Sequence, residues 1–194
     1  MGPRRRETFA ERRERRAAVD DPTVVLEAAA RFLEARSRSI AEVRRRLTTA
    51  GYRSDLVDGA IARMTELGML DDEAFARAWV ESRDRARPRG ERALQNELRL
   101  KGIDRAVIDL VLHDRREQLT GADDAVAPAV APDRVAAERL IAKHARTLDR
   151  IADPRRRRER AYALLARNGF DPETCREVAA GVVTRDTDDD PGGP

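Results

Sequence analysis

A single cysteine, Cys175, excludes a disulfide framework and a cysteine-based zinc site. The two histidines, His113 and His144, stand in different segments with no neighbouring Cys or paired His, which argues against a metal centre and against a general base. No phosphate loop of the G-x-x-x-x-G-K type occurs and no serine sits in a nucleophile elbow. The expectation is a protein that is not an enzyme and uses no metal and no cofactor. There is no run of about 18 apolar residues, and the basic N-terminal stretch lacks the apolar segment that follows the charges of a secretory signal. The reading is therefore cytoplasmic, with no membrane partner. Aromatic residues make up only 4% of the chain while the apolar fraction is 41%, which favours thin helical layers over a thick core.

Charge is what the sequence has in excess. Charged residues account for 39% of the 194 positions, yet 39 basic and 36 acidic side chains leave a net charge of only +3. Lysine is nearly absent, at Lys101 and Lys143 alone, so the basic side chains are almost all arginine. With the two signs so closely balanced, a surface for nucleic acid or an acidic partner has to arise from where the arginines cluster.

The clearest pattern is a repeat. Around Gly102 the chain reads RGERALQNELRLKGIDRAVI, with Leu94 and Leu98 at helical spacing before a glycine suited to a left-handed helix end. Asp104 follows as a cap, and Ile103 and Ile108 stand where a hydrophobic staple joins across it. The same pattern recurs at Gly51 and Gly169. Each copy keeps Leu four before the glycine (Leu47, Leu98, Leu165) and a large apolar residue just after it (Tyr52, Ile103, Phe170). A buryable residue lies six after it (Val57, Ile108, Cys175) and another eight before it (Val43, Leu94, Ala161). The glycines are 102 − 51 = 51 and 169 − 102 = 67 residues apart, so the second interval needs an insertion. An all-α fold follows, an elongated monomer of three tandem three-helix repeats and nine helices. Cys175, at a position that is apolar in the other two copies, reads as a packed thiol.

In chain order, residues 1–21 are dense in Arg and Glu with almost nothing to bury and read as a charged, disordered tail. Repeat 1 covers 22–70. Asp21-Pro22 opens its first helix, running to about Arg36, and Ser39 to Glu42 forms a capping box for the second. Repeat 2 covers 71–118, with Asp71 as a cap and Leu70 against Phe75. The acids Asp71, Asp72 and Glu73 complement the helix dipole, with no further ligand nearby to complete a metal site. Residues 119–132 carry two prolines and no helical periodicity and read as a linker. Repeat 3 covers 133–185, with breaks at Asp153-Pro154 and Asp171-Pro172. Residues 186–194 form an acidic, Gly/Pro-rich disordered tail.

Three stretches carry a resemblance: Arg36-Ser-Arg-Ser-Ile-Ala-Glu-Val, Gly68 to Ala76, and Arg89-Gly90 through Glu97-Leu98 to Lys101-Gly102-Ile103. Together they are similar to the RecX regulatory proteins, and the likeness covers roughly residues 24 to 114. In the third copy, Arg157 and Arg158 stand where the central copy has Gly90 and Glu91. The resemblance implies a curved array of three-helix repeats, no active site, and action as a modulator, usually an inhibitor, of the RecA recombinase. RecA and the RecA-DNA filament are the partners it implies.

The expected contact residues are the recurring arginines. Arg36, Arg38, Arg44 and Arg45 belong to the first copy, Arg83, Arg85, Arg87, Arg89 and Arg92 to the second, and Arg155, Arg156, Arg157 and Arg158 to the third. All lie near the junction of the first and second helices of their copy, so stacking the units would bring them to one edge. Each single arginine is most simply a solvated side chain paired with a nearby Glu; recurrence is what favours a binding role. Changing Arg83, Arg85, Arg87 and Arg89 together to Ala is expected to leave the fold intact. The competing reading is a helix-turn-helix-like protein acting directly on duplex or single-stranded DNA. Against it, the helix after each glycine is rather apolar for a recognition helix.

Overall fold

The computed structural model describes residues 7–120 and 132–184, which form ten α-helices and no strand. In order these are α1 (Phe9–Ala17), α2 (Pro22–Leu33), α3 (Ile40–Ala50), α4 (Ser54–Glu66), α5 (Asp72–Ala86), α6 (Glu91–Leu100), α7 (Arg105–Thr120), α8 (Pro132–Leu148), α9 (Pro154–Arg167) and α10 (Pro172–Thr184). The expected 119–132 linker, apart from its ends in α7 and α8, and the acidic C-terminal tail lie outside the described residues. Two compact units result: residues up to Ala76 together with Leu100–Asp104, and Arg77–Arg99 together with the residues from Arg105 on.

The helix boundaries follow local chemistry. Asp21 accepts from Thr23 N at 2.9 Å ahead of Pro22 at the first turn of α2. Ser39 and Glu42 form the reciprocal capping box of α3. Asp71 accepts from the amides of Glu73 and Ala74, Asp153 from Arg155 and Arg156, and Asp171 from Glu173 and Thr174. Gly51, Gly102 and Gly169 all have positive φ, at 104°, 78° and 83°, the backbone state in which a Cβ is strained.

In the first unit, α2, α3 and α4 pack around Val25, Ala29, Val43, Leu47, Val57, Ile61 and Met64, all buried. In the second, Leu94, Leu98, Ile108, Val111 and Leu112 are buried, and α8, α9 and α10 enclose Leu140, Ile141, Ala161, Leu165, Phe170 and Cys175. Cys175 is fully buried, with its Sγ 3.6 Å from the Phe170 carbonyl. Every apolar repeat position named from the sequence is buried except Tyr52, which is half-buried.

One expectation changes. The charged stretch up to residue 21 contains a tenth helix, α1, closed by a capping box between Thr8 and Glu11. No residue of α1 is buried, so no apolar stripe announces it. It docks through its backbone: a Cβ on Gly51 would stand 2.7 Å from the Arg13 carbonyl oxygen. Arg16 adds a hydrogen bond to the Ala50 carbonyl at 3.4 Å and lies over the Tyr52 ring.

Candidate arginine-rich binding surface

The glycine turns organise the polar side chains around them. In each copy the carbonyl just before the glycine accepts a hydrogen bond from an earlier part of the chain. Lys101 O accepts from Ser39 Oγ at 2.6 Å, Asn168 O from the Gly90 amide at 3.0 Å, and Ala50 O from Arg16 of α1. Ser39 and Gly90 are equivalent, each twelve residues before its own glycine. Both are buried against the next turn, where side chains must be small. A Cβ on Gly102 would overlap that of Ala41, and one on Gly90 would overlap the Gly169 carbonyl. Arg157 is the third equivalent. With 6% of its surface exposed, it turns back within its own copy and donates from Nε to the Ile151 carbonyl at 3.0 Å.

This architecture sorts the arginines that the repeat pattern singles out. Arg36 is held 3.2 Å from Glu42, which Lys101 Nζ also reaches at 2.8 Å. Burial pushes the Glu42 carboxyl up, but the hydrogen bonds and charges of Lys101 and Arg36 outweigh it and hold its pKa at about 2. Arg44 pairs with Asp58. Arg38 is half-buried, with its guanidinium carbon 4.2 Å from the Phe32 ring centroid. Arg45 is exposed with no carboxylate partner among the described residues.

In the second unit, Arg83 donates to Glu97 at 2.6 Å and stacks on Trp79, whose Nε1 donates to the same carboxylate at 2.8 Å. Arg89 lies 3.5 Å from Glu97 and donates to Asn168 Oδ1 at 2.5 Å. Glu97 therefore gathers Arg83 and Arg89, and both serve to hold α5, α6 and the Gly169 turn together. Arg85 pairs with Glu81 while remaining well exposed. Arg155 and Arg156 make long pairs with Glu159 and Asp153 from exposed positions. Arg87, Arg92 and Arg158 are exposed and have no ion pair among the described residues.

The sequence reading passed over Arg115, and it gave Asp72 only a helix-dipole role; both are structurally prominent. Arg115 is 6% exposed, with Nε and Nη2 each 2.9 Å from Asp84 and Nη1 2.7 Å from Asp133. Burial works against its charge, and the two carboxylates outweigh that cost and raise its pKa. Asp72 accepts from the Ile40 amide at 2.9 Å, so its carboxylate serves α3 as well as its own helix. Only proximity across 18 to 32 residues reveals these partners.

No group of three or more His, Cys, Asp or Glu able to hold a metal occurs among the described residues. None of the described helices is long and apolar enough to cross a membrane. What the fold defines is, among the described residues, an all-helical protein of three-helix units, each with a left-handed glycine turn between its second and third helices and edged with arginines.

The family models for RecX match this chain twice, the first three-helix domain at residues 26–64 and the second at 71–112. The regulatory protein RecX of Mycolicibacterium vanbaalenii is 33% identical over 162 residues, covering 80% of each chain. That of Mycobacterium marinum is 34% identical over 158 residues, covering 81% of this chain and 84% of its own. The chain belongs to the RecX family of regulatory proteins. Its fold also matches the crystal structure of RecX from Lactobacillus salivarius, with a TM-score of 0.67 at 18% identity, over 84% of this chain and 97% of that one.

Proposed function

We propose that this chain is a non-enzymatic regulator that binds the RecA recombinase and its DNA filament in the cytoplasm. In this reading it acts as a monomer and inhibits RecA's ATPase, strand-exchange and coprotease activities, and so tunes homologous recombination, DNA repair and the SOS response. The observation that carries the reading is membership of a family named for regulation, on a chain in which each of the three copies carries exposed arginines. The contacts fall to arginines that remain free to pair with a partner: Arg45 in the first copy, Arg87 and Arg92 in the second, and Arg158 in the third, aided by the exposed Arg85, Arg155 and Arg156. Phosphates of DNA and carboxylates of a protein filament are both suitable acceptors.

Direct action as a helix-turn-helix DNA reader is the weaker alternative. The helices after the glycines spend Val57 and Ile61, Ile108 and Val111, and Cys175 and Val178 on the core, so they have less surface to offer a major groove.

The test is inhibition of RecA-catalysed ATP hydrolysis and strand exchange by the parent and by a variant carrying Arg45→Ala, Arg87→Ala, Arg92→Ala and Arg158→Ala. The variant should keep its helical circular dichroism and lose most inhibition. Undiminished inhibition by the folded variant would overturn the assignment, and a parent chain without effect on RecA would overturn the function.

A further inference from the structure

On the first unit, a hollow of about 380 Å³ is lined by Phe32, Arg38, Glu42, Arg45, Arg46 and Thr49. It holds three guanidinium groups and one carboxylate. That carboxylate is already committed, because Glu42 is paired with Lys101 and Arg36. Arg38, Arg45 and Arg46 make no ion pair among the described residues, so the hollow carries an uncompensated positive charge.

Two of these cations are pre-placed. The guanidinium carbons of Arg38 and Arg46 lie 4.2 Å and 5.7 Å from the centroid of the same Phe32 ring, which is itself packed against the core of α2, α3 and α4. Arg38 Nε is buried and has no hydrogen-bond acceptor. An unsatisfied buried donor is rare in folded proteins, and it commonly marks a place where a further group belongs. Two like charges held on one ring repel unless something negative lies between them. Stacking also removes much of the side-chain entropy that an exposed arginine loses on gripping a ligand.

We propose that this hollow is a phosphate-binding site, in which Arg38 and Arg46, stacked on Phe32, and the exposed Arg45 grip the oxygens of a single phosphate group. The planar guanidinium fork matches a tetrahedral oxyanion through paired N–H donors. The inference deepens the proposed function, resting on its reading of Arg45 as a place for anions. It adds Arg38, Arg46 and Phe32 and gives the ligand a definite chemistry.

The experiment follows the arginine Nε–H resonances of the full chain by NMR during titration with inorganic phosphate, against a sodium chloride titration of matched ionic strength. A saturable shift of the Arg38 resonance, absent with chloride, is expected. Arg38→Gln and Arg46→Gln should each weaken phosphate binding about tenfold, and Phe32→Leu should weaken it by releasing both cations. Arg99→Gln, an exposed change on α6, should leave it unaltered. A parallel titration with a short oligothymidylate separates the sources of phosphate. Saturation of the same resonance at lower concentration assigns the site to a nucleic-acid backbone, and saturation by inorganic phosphate alone assigns it to a free phosphate; both support the site. An Arg38 resonance indifferent to both probes overturns the proposal. So does parent-like phosphate binding by folded Arg38→Gln, or saturation by polyglutamate where phosphate has no effect. Phosphate binding without any influence on RecA would leave this site standing and remove the proposed function, and regulation of RecA with a silent Arg38 would do the reverse.

Discussion

The hydroxyl of Ser39 donates to the carbonyl of Lys101, 62 residues further along the chain, at 2.6 Å. Ser39 is fully buried, and its Oγ also accepts from the Glu42 amide at 3.2 Å, so one hydroxyl caps α3 and fastens the Gly102 turn to it. The central copy makes the equivalent link through the Gly90 amide and Asn168 O, with a backbone donor in place of the hydroxyl.

Ser39→Ala should therefore cost more than an isolated helix cap. Losing the cap and leaving the Lys101 carbonyl without its partner should destabilise the protein by about 1–3 kcal/mol. Urea unfolding followed by circular dichroism measures it, and Ser54→Ala, at an exposed helix start without a cap hydrogen bond from its side chain, should change the midpoint far less.

The glycine turns separate two physical costs. Gly68→Ala introduces a Cβ into open space at a φ of 68° and should lose only about 1–2 kcal/mol to backbone strain. Gly169→Ala carries the same strain at 83° and drives its Cβ into Ala93 as well, so it should be clearly the more destabilised variant in thermal melts.

Glu42 should make the first unit sensitive to acid. Its folded pKa lies below the ordinary value of 4.5, so its stabilisation is present above pH 4.5 and is lost as the pH falls through about 2. The full depression corresponds to about 3 kcal/mol as an order of magnitude. Glu42→Gln should lower stability at neutral pH and flatten the dependence on pH between about 4.5 and 2, as followed by urea midpoints across that range.

Core and surface positions of α6 should diverge. Leu98→Ala removes a fully buried side chain and should cost about 2–5 kcal/mol, while the exposed Arg99→Ala should change stability by under about 0.5 kcal/mol. Equal shifts in urea titrations would mean that the helix presents a different face.

Changing Arg83 and Arg89 together to Ala should destabilise the second unit by about 1–3 kcal/mol, because it strips Glu97 of both cations and uncovers Trp79. Arg85→Ala with Arg87→Ala should be nearly neutral by the same denaturant assay. Of the four changes expected from sequence to leave the fold intact, the structural cost should therefore fall on Arg83 and Arg89, which pair with Glu97.

The features settled by the sequence alone are those with local causes. Apolar spacing set the faces of the helices, Asp and Ser before helix starts set many of their beginnings, and the three glycines set the left-handed turns. The burial of Leu47, Leu98 and Leu165 at one repeat position follows from the same periodicity. Tertiary structure decided what depends on distant partners. The α1 helix packs by close backbone approach to Gly51, for which hydrophobic patterning has no signal. Arginine identity cannot distinguish the exposed Arg158 from its buried neighbour Arg157, or the free Arg87 from Arg83 on Glu97. A charged side chain becomes structural or available according to which carboxylate or carbonyl the fold brings within about 3 Å of it, and that proximity arises only when separate helices pack.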